Sequence, residues 1–352
     1  MDFNLTEDRR MLSDSLTRYL ADKYGFEHRN KTAYDAPFHD TTKWAELAEL
    51  GVLYALAPED QGGFGGAGFD IATVFEALGK GLCPEPLLGA LMASRLLGAA
   101  NEDQAALLDG SRRYAVAIGE IDAPYDFDFI DTSFADGKLT GRKSVVYGGN
   151  DADAFLVAAK SGGTIGVYEV EAKDAQVTGY GLIDGGGAAE VFLEATPARE
   201  ILKDASAALQ DALDAGALAL CAEAVGLMDA TNVLLLDYLR TRNQFGRAIG
   251  SFQALQHRAV DIVTEIEQAR SITIYAASRM GEADQSRAVS MAKTLIGKAA
   301  RLTSEEAIQM HGGIAMTWEA AVSHYAKRLV MLDAQLGDTD FHLERVASSY
   351  AA

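Results

Sequence analysis

A short turn between two helical patterns carries a cation, an aromatic ring and an amide. Arg242 is permanently charged, Phe245 offers a flat apolar face, and Gln253 opens the second helical pattern. Because a guanidinium and a helix N-terminus both attract phosphate groups, this set could hold a planar, phosphate-bearing ligand. The alternative is a helical hairpin in which the arginine is solvated and the phenylalanine belongs to the core.

Two long segments of helical periodicity, 205–238 and 251–280, flank this turn. Gly246 and Gly250 interrupt the apolar spacing between them. From residue 198 to the end the pattern stays helical, in about four long segments, which predicts a bundle of antiparallel helices with short connections.

The rest of the chain divides into a helical part and a strand part. Thr6 precedes two acidic residues and an apolar spacing, so we expect it to cap the first helix. Short apolar runs separated by Gly, Asp and Asn predict a small antiparallel β barrel or sandwich in the middle. The predicted organisation is mostly α: an N-terminal helical domain, a middle β domain and a C-terminal four-helix bundle, at 1–112, 113–197 and 198–352.

Composition excludes several classes of function. The formal charge of −20 over 352 residues repels nucleic acid and anionic membrane surfaces. No apolar run of spanning length and no secretory pattern is present in the sequence, so we expect a cytoplasmic protein without membrane insertion. Cys83 and Cys221 lack disulfide or metal spacing, and the six histidines are scattered, so we expect no metal site.

Five stretches resemble the acyl-CoA dehydrogenases, in the order that this family has them. Arg242–Gln253, RNQFGRAIGSFQ, resembles the signature R-x-x-F-G-x-x-(I/L)-x-x-x-Q, and 309–317, QMHGGIAMT, is similar to the family's Q-x-x-G-G segment. Stretches at 1–12, 49–70 and 139–153 complete the series. The resemblance covers nearly the whole chain and implies an FAD-dependent enzyme that removes two hydrogens from adjacent carbons of an acyl-CoA thioester.

That reaction needs a carboxylate base for the α-proton. The resemblance places the base near the C-terminus, at Leu336 or Gly337, or on the first bundle helix, at Gly216. None of these residues can accept a proton. The nearest acids, Asp338 and Asp214, are displaced by one or two residues, and Asp338 is the remaining candidate base.

The family's contacts to a protomer's own flavin ring are also altered. The usual Trp-Ile-Thr-Asn-Gly stretch reads VVYGG here, so Val145 and Tyr147 stand at the Trp and Thr positions. The loop that usually contains a Gly-Ser pair corresponds to 119–126, which lacks it. The resemblance therefore implies a protomer that does not hold an isoalloxazine ring of its own.

The motifs that the family extends across a subunit interface all remain. The residues that would contact the adenosine and pyrophosphate of a neighbour's FAD are Arg242, Phe245, Gln253, Gln309, Gly312 and Gly313. Arginine can pair with a phosphate oxygen, and paired glycines allow close backbone approach. We therefore expect the small, base-lacking subunit of a hetero-oligomeric acyl-CoA dehydrogenase, which completes the FAD site of a paralogous catalytic subunit.

Two alternatives stay open: a self-sufficient homotetramer that uses a displaced acid such as Asp338, and a non-catalytic structural partner that binds no flavin. The partners that the resemblance implies are an acyl-CoA substrate, a paralogous subunit in a heterotetramer, and electron-transfer flavoprotein as the electron acceptor. Some bacterial members that oxidise steroid-side-chain or dicarboxylic acyl-CoAs are built from two unlike subunits.

Overall fold

The structure is a computed structural model of the chain, and it describes residues 6–350. Thr6 caps the first helix, as predicted: its hydroxyl oxygen accepts the N–H of Arg9 at 3.4 Å. The first five residues of the N-terminal stretch that resembles the family lie outside the described residues. The N-terminal helices are α1 (Glu7–Lys23), α2 (Phe26–Tyr34), α3 (Thr41–Glu49), α4 (Gly68–Lys80), α5 (Leu87–Ala99) and α6 (Ala105–Leu108).

The middle of the chain forms one sheet. Its strands run in the order β6-β7-β3-β2-β4-β5-β8, and β1 pairs with β4. A buried cluster of Phe155, Val157, Tyr168 and Val191 lies at its core. The strands are β1 (Tyr114–Ala117), β2 (Ser133–Ala135), β3 (Lys138–Tyr147), β4 (Ala154–Ser161), β5 (Thr164–Glu171), β6 (Gln176–Gly181), β7 (Gly187–Pro197) and β8 (Arg199–Leu202).

The prediction of a wholly antiparallel sheet is wrong in one respect, because this sheet is mixed. Strands β1 and β2 pair with β4 in parallel, while the remaining pairs are antiparallel. A parallel pair needs a long crossover, and the β1-to-β4 connection, 118–153, contains the β2–β3 hairpin. Apolar alternation tells which face a side chain occupies but not the direction of the neighbouring strand, so the pattern could not reveal this arrangement.

The C-terminal part is helical, as predicted, but the predicted last segment is two helices. It breaks at Leu336 and Gly337, whose φ angles of 55° and 102° end one helix before the next begins. The elements are α7 (Ser206–Thr241), β9 (Asn243–Gln244), β10 (Arg247–Ala248), α8 (Gln253–Ser278), α9 (Gln285–His311), α10 (Ala321–Ala334) and α11 (Thr339–Ser348).

Packing groups the chain into two compact units, each made of separate segments. The sheet unit contains Glu27–Asp70 and Pro84–Gly216, and the helical unit contains Ile71–Cys83, the chain up to Phe26 and the chain from Ala217. This grouping follows spatial packing rather than order along the chain, so the predicted domain limits at 112 and 197 stay a prediction.

Helix α7 is the one helix among residues 6–350 that is long and apolar enough to cross a membrane. Of its most apolar stretch, 72% is buried inside the protein. Core helices pass the same test of length and composition, and burial of this extent is what a core helix requires.

Candidate functional site

The turn after α7 is a two-residue β-hairpin. Gln244 pairs with Arg247, and between them Phe245 and Gly246 have φ angles of 54° and 77°. Two successive left-handed residues are typical of a type I′ turn, which matches the twist of its strands. The side chain of Phe245 is 90% exposed. The alternative in which this phenylalanine belongs to the core is therefore wrong.

Arg242 lies at the base of this hairpin. Its carbonyl oxygen accepts the N–H of Ile249 at 2.8 Å, which closes the turn, and its side chain is exposed. Within residues 6–350, no carboxylate forms an ion pair with this guanidinium. By contrast, Arg247 of the same hairpin lies over the ring of Phe252 at 4.1 Å. Arg242 is thus a cation available to an anionic group from outside the chain.

The second motif spans the end of α9. Gln309 is exposed, and Gly312 has φ 70° and ψ −151°, a conformation that is essentially restricted to glycine. A Cβ atom added to Gly312 or Gly313 would meet no atom of the described chain within 4 Å. The backbone conformation therefore explains why position 312 is a glycine. Packing within residues 6–350 explains neither Gly312 nor Gly313.

Contacts within the helical unit bring the two motifs to one end of it. Tyr238, near the end of α7, stacks on His311, at the end of α9, with ring centroids 4.5 Å apart. Arg258 of α8 pairs with Glu306 of α9. These contacts place the end of α7 and the start of α8 beside the end of α9. The implied cofactor-binding residues lie on or next to these helix ends, and each of them is exposed: Arg242, Phe245, Gln253, Gln309, Gly312 and Gly313.

The base position on α7 is occupied by buried Gly216. Two residues earlier, Asp214 is 2% exposed and accepts a hydrogen bond from the amide nitrogen of Gln210 at 2.8 Å. The carboxylate of Asp214 is therefore held inside the sheet unit by a neighbour one helical turn away.

The base position near the C-terminus is a closed turn. Leu336 and Gly337 form it, and a ring nitrogen of His342 lies 3.0 Å from the carbonyl oxygen of Leu336. Asp338 then caps α11, because its carboxylate accepts the N–H of Phe341 at 2.8 Å. Sequence reasoning missed this role, although an aspartate directly before an amphipathic segment is a common helix-start signal.

A buried lysine fixes the same turn. Lys293 is 2% exposed and donates to the carbonyl oxygens of Leu332 and Asp333 at 2.8 and 3.2 Å. Burial lowers the pKa of Lys293 to about 8 and that of the neighbouring His342 to about 3. Nothing in the sequence pattern distinguished this lysine from an exposed one.

The loop that corresponds to a flavin loop of the family is anchored by another buried lysine. Lys143 is fully buried and donates to the carboxylate of Glu120 at 2.7 Å and to the carbonyl of Ile118 at 2.9 Å. Glu120 also accepts from the N–H and hydroxyl of Thr132. Burial lowers the pKa of Lys143 to about 8. These groups are therefore used to hold the loop.

The described residues fit the outer end of a dinucleotide better than a metal ion. No group of three His, Cys, Asp or Glu side chains in residues 6–350 could hold a metal. An arginine without an ion pair and a glycine pair open on one side suit a pyrophosphate, which needs donors and close backbone approach. The order of helical parts around a mixed sheet matches what the resemblance to the acyl-CoA dehydrogenases, a class of flavin-dependent enzymes, implies.

Comparison with known proteins agrees with this class. The family described as "Acyl-CoA dehydrogenase, N-terminal domain" matches residues 6–107, and "Acyl-CoA dehydrogenase, C-terminal domain" matches residues 206–351. The chain belongs to the acyl-CoA dehydrogenase family. The predicted fold class is confirmed. FAD, the predicted cofactor, is the cofactor of this family.

Individual relatives cover nearly all of the chain. Acyl-CoA dehydrogenase IpdE2 of Mycobacterium tuberculosis is 30% identical over 330 residues, which are 92% of this chain and 91% of the relative. A solved structure described as a Tcur3481-Tcur3483 steroid ACAD variant is 26% identical, with a TM-score of 0.90 and 98% of each chain covered. The ChsE4-ChsE5 complex from Mycobacterium tuberculosis shares the fold, with 24% identity, a TM-score of 0.91 and coverage of 100% and 99%.

Proposed function

We propose that this chain is the base-lacking subunit of a hetero-oligomeric acyl-CoA dehydrogenase and completes the FAD site of a paralogous catalytic subunit. One observation carries the proposal: the residues matched to FAD contacts are exposed together at one end of the helical unit. Arg242 has no ion pair within residues 6–350, and the glycine pair is open. Such a surface is complementary to a pyrophosphate held by another chain.

The roles of the individual residues follow from their chemistry. When bound, FAD would accept the β-hydride of an acyl-CoA thioester. Arg242 would neutralise a pyrophosphate oxygen, Phe245 would cover the adenosine, and Gln253 would offer its amide from the first turn of α8. Gln309 and the glycines after it would let the backbone approach the same group.

The α-proton would be removed by a carboxylate of the paralogous subunit. In this chain the two usual positions hold Gly216 and the Leu336–Gly337 turn. The self-sufficient alternative needs a displaced acid as its base. The carboxylate of Asp338 caps α11, and that of Asp214 is buried. A general base must reach the proton that it removes, and a cap carboxylate that moves away leaves a helix N–H without its acceptor.

The similarity to IpdE2 supports an acyl-CoA as the substrate, and the similarity to a structure described as a steroid ACAD supports a bulky acyl group. We propose electron-transfer flavoprotein as the electron acceptor and the cytoplasm as the compartment. The pure scaffold alternative leaves the isolated cation Arg242 and the open glycine pair without a role.

The test separates the two chains. This chain is expressed alone and together with a candidate paralogous acyl-CoA dehydrogenase from the same organism, and desaturation of a bulky acyl-CoA is followed with ferrocenium as the acceptor. Turnover is expected from the complex and not from the lone chain. Equal turnover per chain from the lone protein would contradict the proposal.

A further inference from the structure

Strand β3 contains a bulge at the position matched to the family's flavin-ring contacts. The register with β7 passes from Lys143–Val191 to Val146–Ala189, so Ser144 and Val145 together face one residue, Glu190. Two residues opposite one define a β-bulge. Val145 has φ 50° and is 42% exposed. A β-branched residue in this region is strained and needs groups that hold it there.

The carboxylate of Glu190 is that holding group. It accepts the N–H of the strained Val145 at 3.2 Å and the hydroxyl of Ser144 at 2.9 Å. It also accepts hydrogen bonds from the hydroxyl of Tyr180 at 3.2 Å and from the guanidinium of Arg142 at 3.0 Å. Burial, followed by the charge of Glu190, raises the pKa of Tyr180 to about 12.

The donors of the bulge could bind a ligand as well as stabilise the sheet. A planar heteroaromatic ring with carbonyl oxygens and ring nitrogens is held by N–H and O–H groups directed at its edge. The bulge has such donors in Ser144, Val145 and Tyr180, and all three are directed to a side chain of the same chain. The carboxylate also brings a negative charge, which repels an electron-rich ring edge.

We propose that Glu190 is an internal occupant of the β3 bulge, which takes the donors that would otherwise hold a flavin ring and so keeps this chain from binding a flavin of its own. The inference rests on the proposed function, in which the chain serves the FAD of its partner. An ordinary cross-strand ion pair would need only Arg142. The additional bonds to the strained backbone and to two hydroxyls give Glu190 this wider role.

The experiment uses the lone, full-length chain and two single substitutions. Glu190→Ala frees the bulge donors, and Glu194→Ala removes the same charge from an exposed position of the same strand. FAD and lumiflavin, a ring without phosphates, are titrated by quenching of flavin fluorescence. Since each recovered hydrogen bond changes affinity by up to about tenfold, Glu190→Ala is expected to tighten binding of both probes by about tenfold or more. Glu194→Ala is expected to change it by less than about twofold.

A second readout shows whether the contact itself is real. In Glu190→Ala the pKa of Tyr180, followed by its own ring resonances in NMR, is expected to fall below about 12, because the charge of Glu190 is removed while burial remains. Glu194→Ala should leave it in place. If the Tyr180 titration moves and flavin affinity does not, the inference is overturned. Should Glu190→Ala not fold, Glu190→Val suits a strand and removes both carboxylate oxygens; unchanged affinity in that folded variant overturns the inference equally.

Failure of the inference and failure of the proposed function give different results. Weak flavin binding in both the wild-type chain and Glu190→Ala contradicts only the role of Glu190. Full, tight FAD binding by the wild-type lone chain contradicts the proposed function.

Discussion

Arg242 and Arg240 are separated by one residue and both are exposed, yet only Arg242 belongs to the motif matched to FAD contacts. In the proposed complex, replacing Arg242 with Ala would remove a charge-assisted bond to pyrophosphate. We expect FAD to bind the assembled complex about tenfold or more weakly, measured as the flavin retained after dialysis. Arg240→Ala is the matched control and should retain the wild-type flavin content. Equal loss from both variants would indicate a general charge effect instead.

Asp338 provides the residue-scale test of the self-sufficient alternative. Asparagine caps a helix as well as aspartate does, so Asp338→Asn should leave both the melting temperature and the turnover of the complex unchanged. Asp338→Ala loses the bond to Phe341 and should lower the free energy of unfolding by about 1 kcal/mol, with turnover unchanged. Loss of turnover in a normally stable Asp338→Asn variant would make Asp338 the base.

Residue identity could be read from the sequence, but residue environment could not. The absence of an acid at Gly216 and at Leu336 or Gly337 follows directly from side-chain type. The burial of Lys143 and Lys293 does not, because a lysine within an apolar strand or helix is usually exposed. Only tertiary packing placed these two ammonium groups against Glu120 and against the end of α10.

The hairpin after α7 shares its turn geometry with the β2–β3 hairpin, which allows an element-scale test. Phe245 and Gly246 have φ angles of 54° and 77°, and Asp136 and Gly137 of the β2–β3 turn have 50° and 76°. Neither glycine has an atom near an added Cβ, so alanine at either introduces only left-handed strain of about 1–2 kcal/mol.

Gly246→Ala should therefore lower the FAD content of the complex, because it disturbs the turn beside Arg242. Gly137→Ala should lower stability by a similar amount and leave FAD content unchanged. The measurements are thermal unfolding and flavin absorbance of the two purified complexes. A loss of flavin from the Gly137 variant as large as from the Gly246 variant would remove the special role of the β9–β10 hairpin.

A buried histidine links several segments of the sheet unit. The ring nitrogens of His39 lie 3.0 Å from the carboxylate of Glu85 and 2.9 Å from that of Asp151. Burial by itself would lower the pKa of His39, but the two carboxylates outweigh it and raise the pKa above 6.5. Its stabilising contribution is therefore fully present below pH 6.5 and is lost as pH rises through the raised pKa.

We expect the melting temperature of the wild-type chain to exceed that of His39→Gln by an amount that depends on pH. This difference in melting temperature should be largest at about pH 6 and should become smaller at alkaline pH. An advantage that grows with pH would mean that the neutral ring is the stabilising form.

At the element scale, helices and strands could be predicted because apolar spacing differs between them. The parallel direction of the β1–β4 pair could not be predicted, because the apolar alternation of a strand is the same whether its neighbour is parallel or antiparallel. The apolar spacing did not locate the break between α10 and α11, because it includes Leu336, a residue that rarely adopts positive φ.

For the whole molecule, the order of the helical and strand parts was predictable because five family-like stretches occur in one order along the chain. The comparison with known proteins confirms both the family and the fold. The grouping into two units made of separate segments was not predictable, because it arises from contacts between residues far apart in the sequence. The role in a complex stays a proposal that concerns two chains.

The most direct measurement of that role is the ratio of FAD to protein in the purified lone chain and in the purified complex. If this chain completes a site that belongs to its partner, the lone chain should be colourless, and the complex should hold about one FAD for each pair of unlike chains. A yellow lone chain with about one FAD per chain would contradict the central claim.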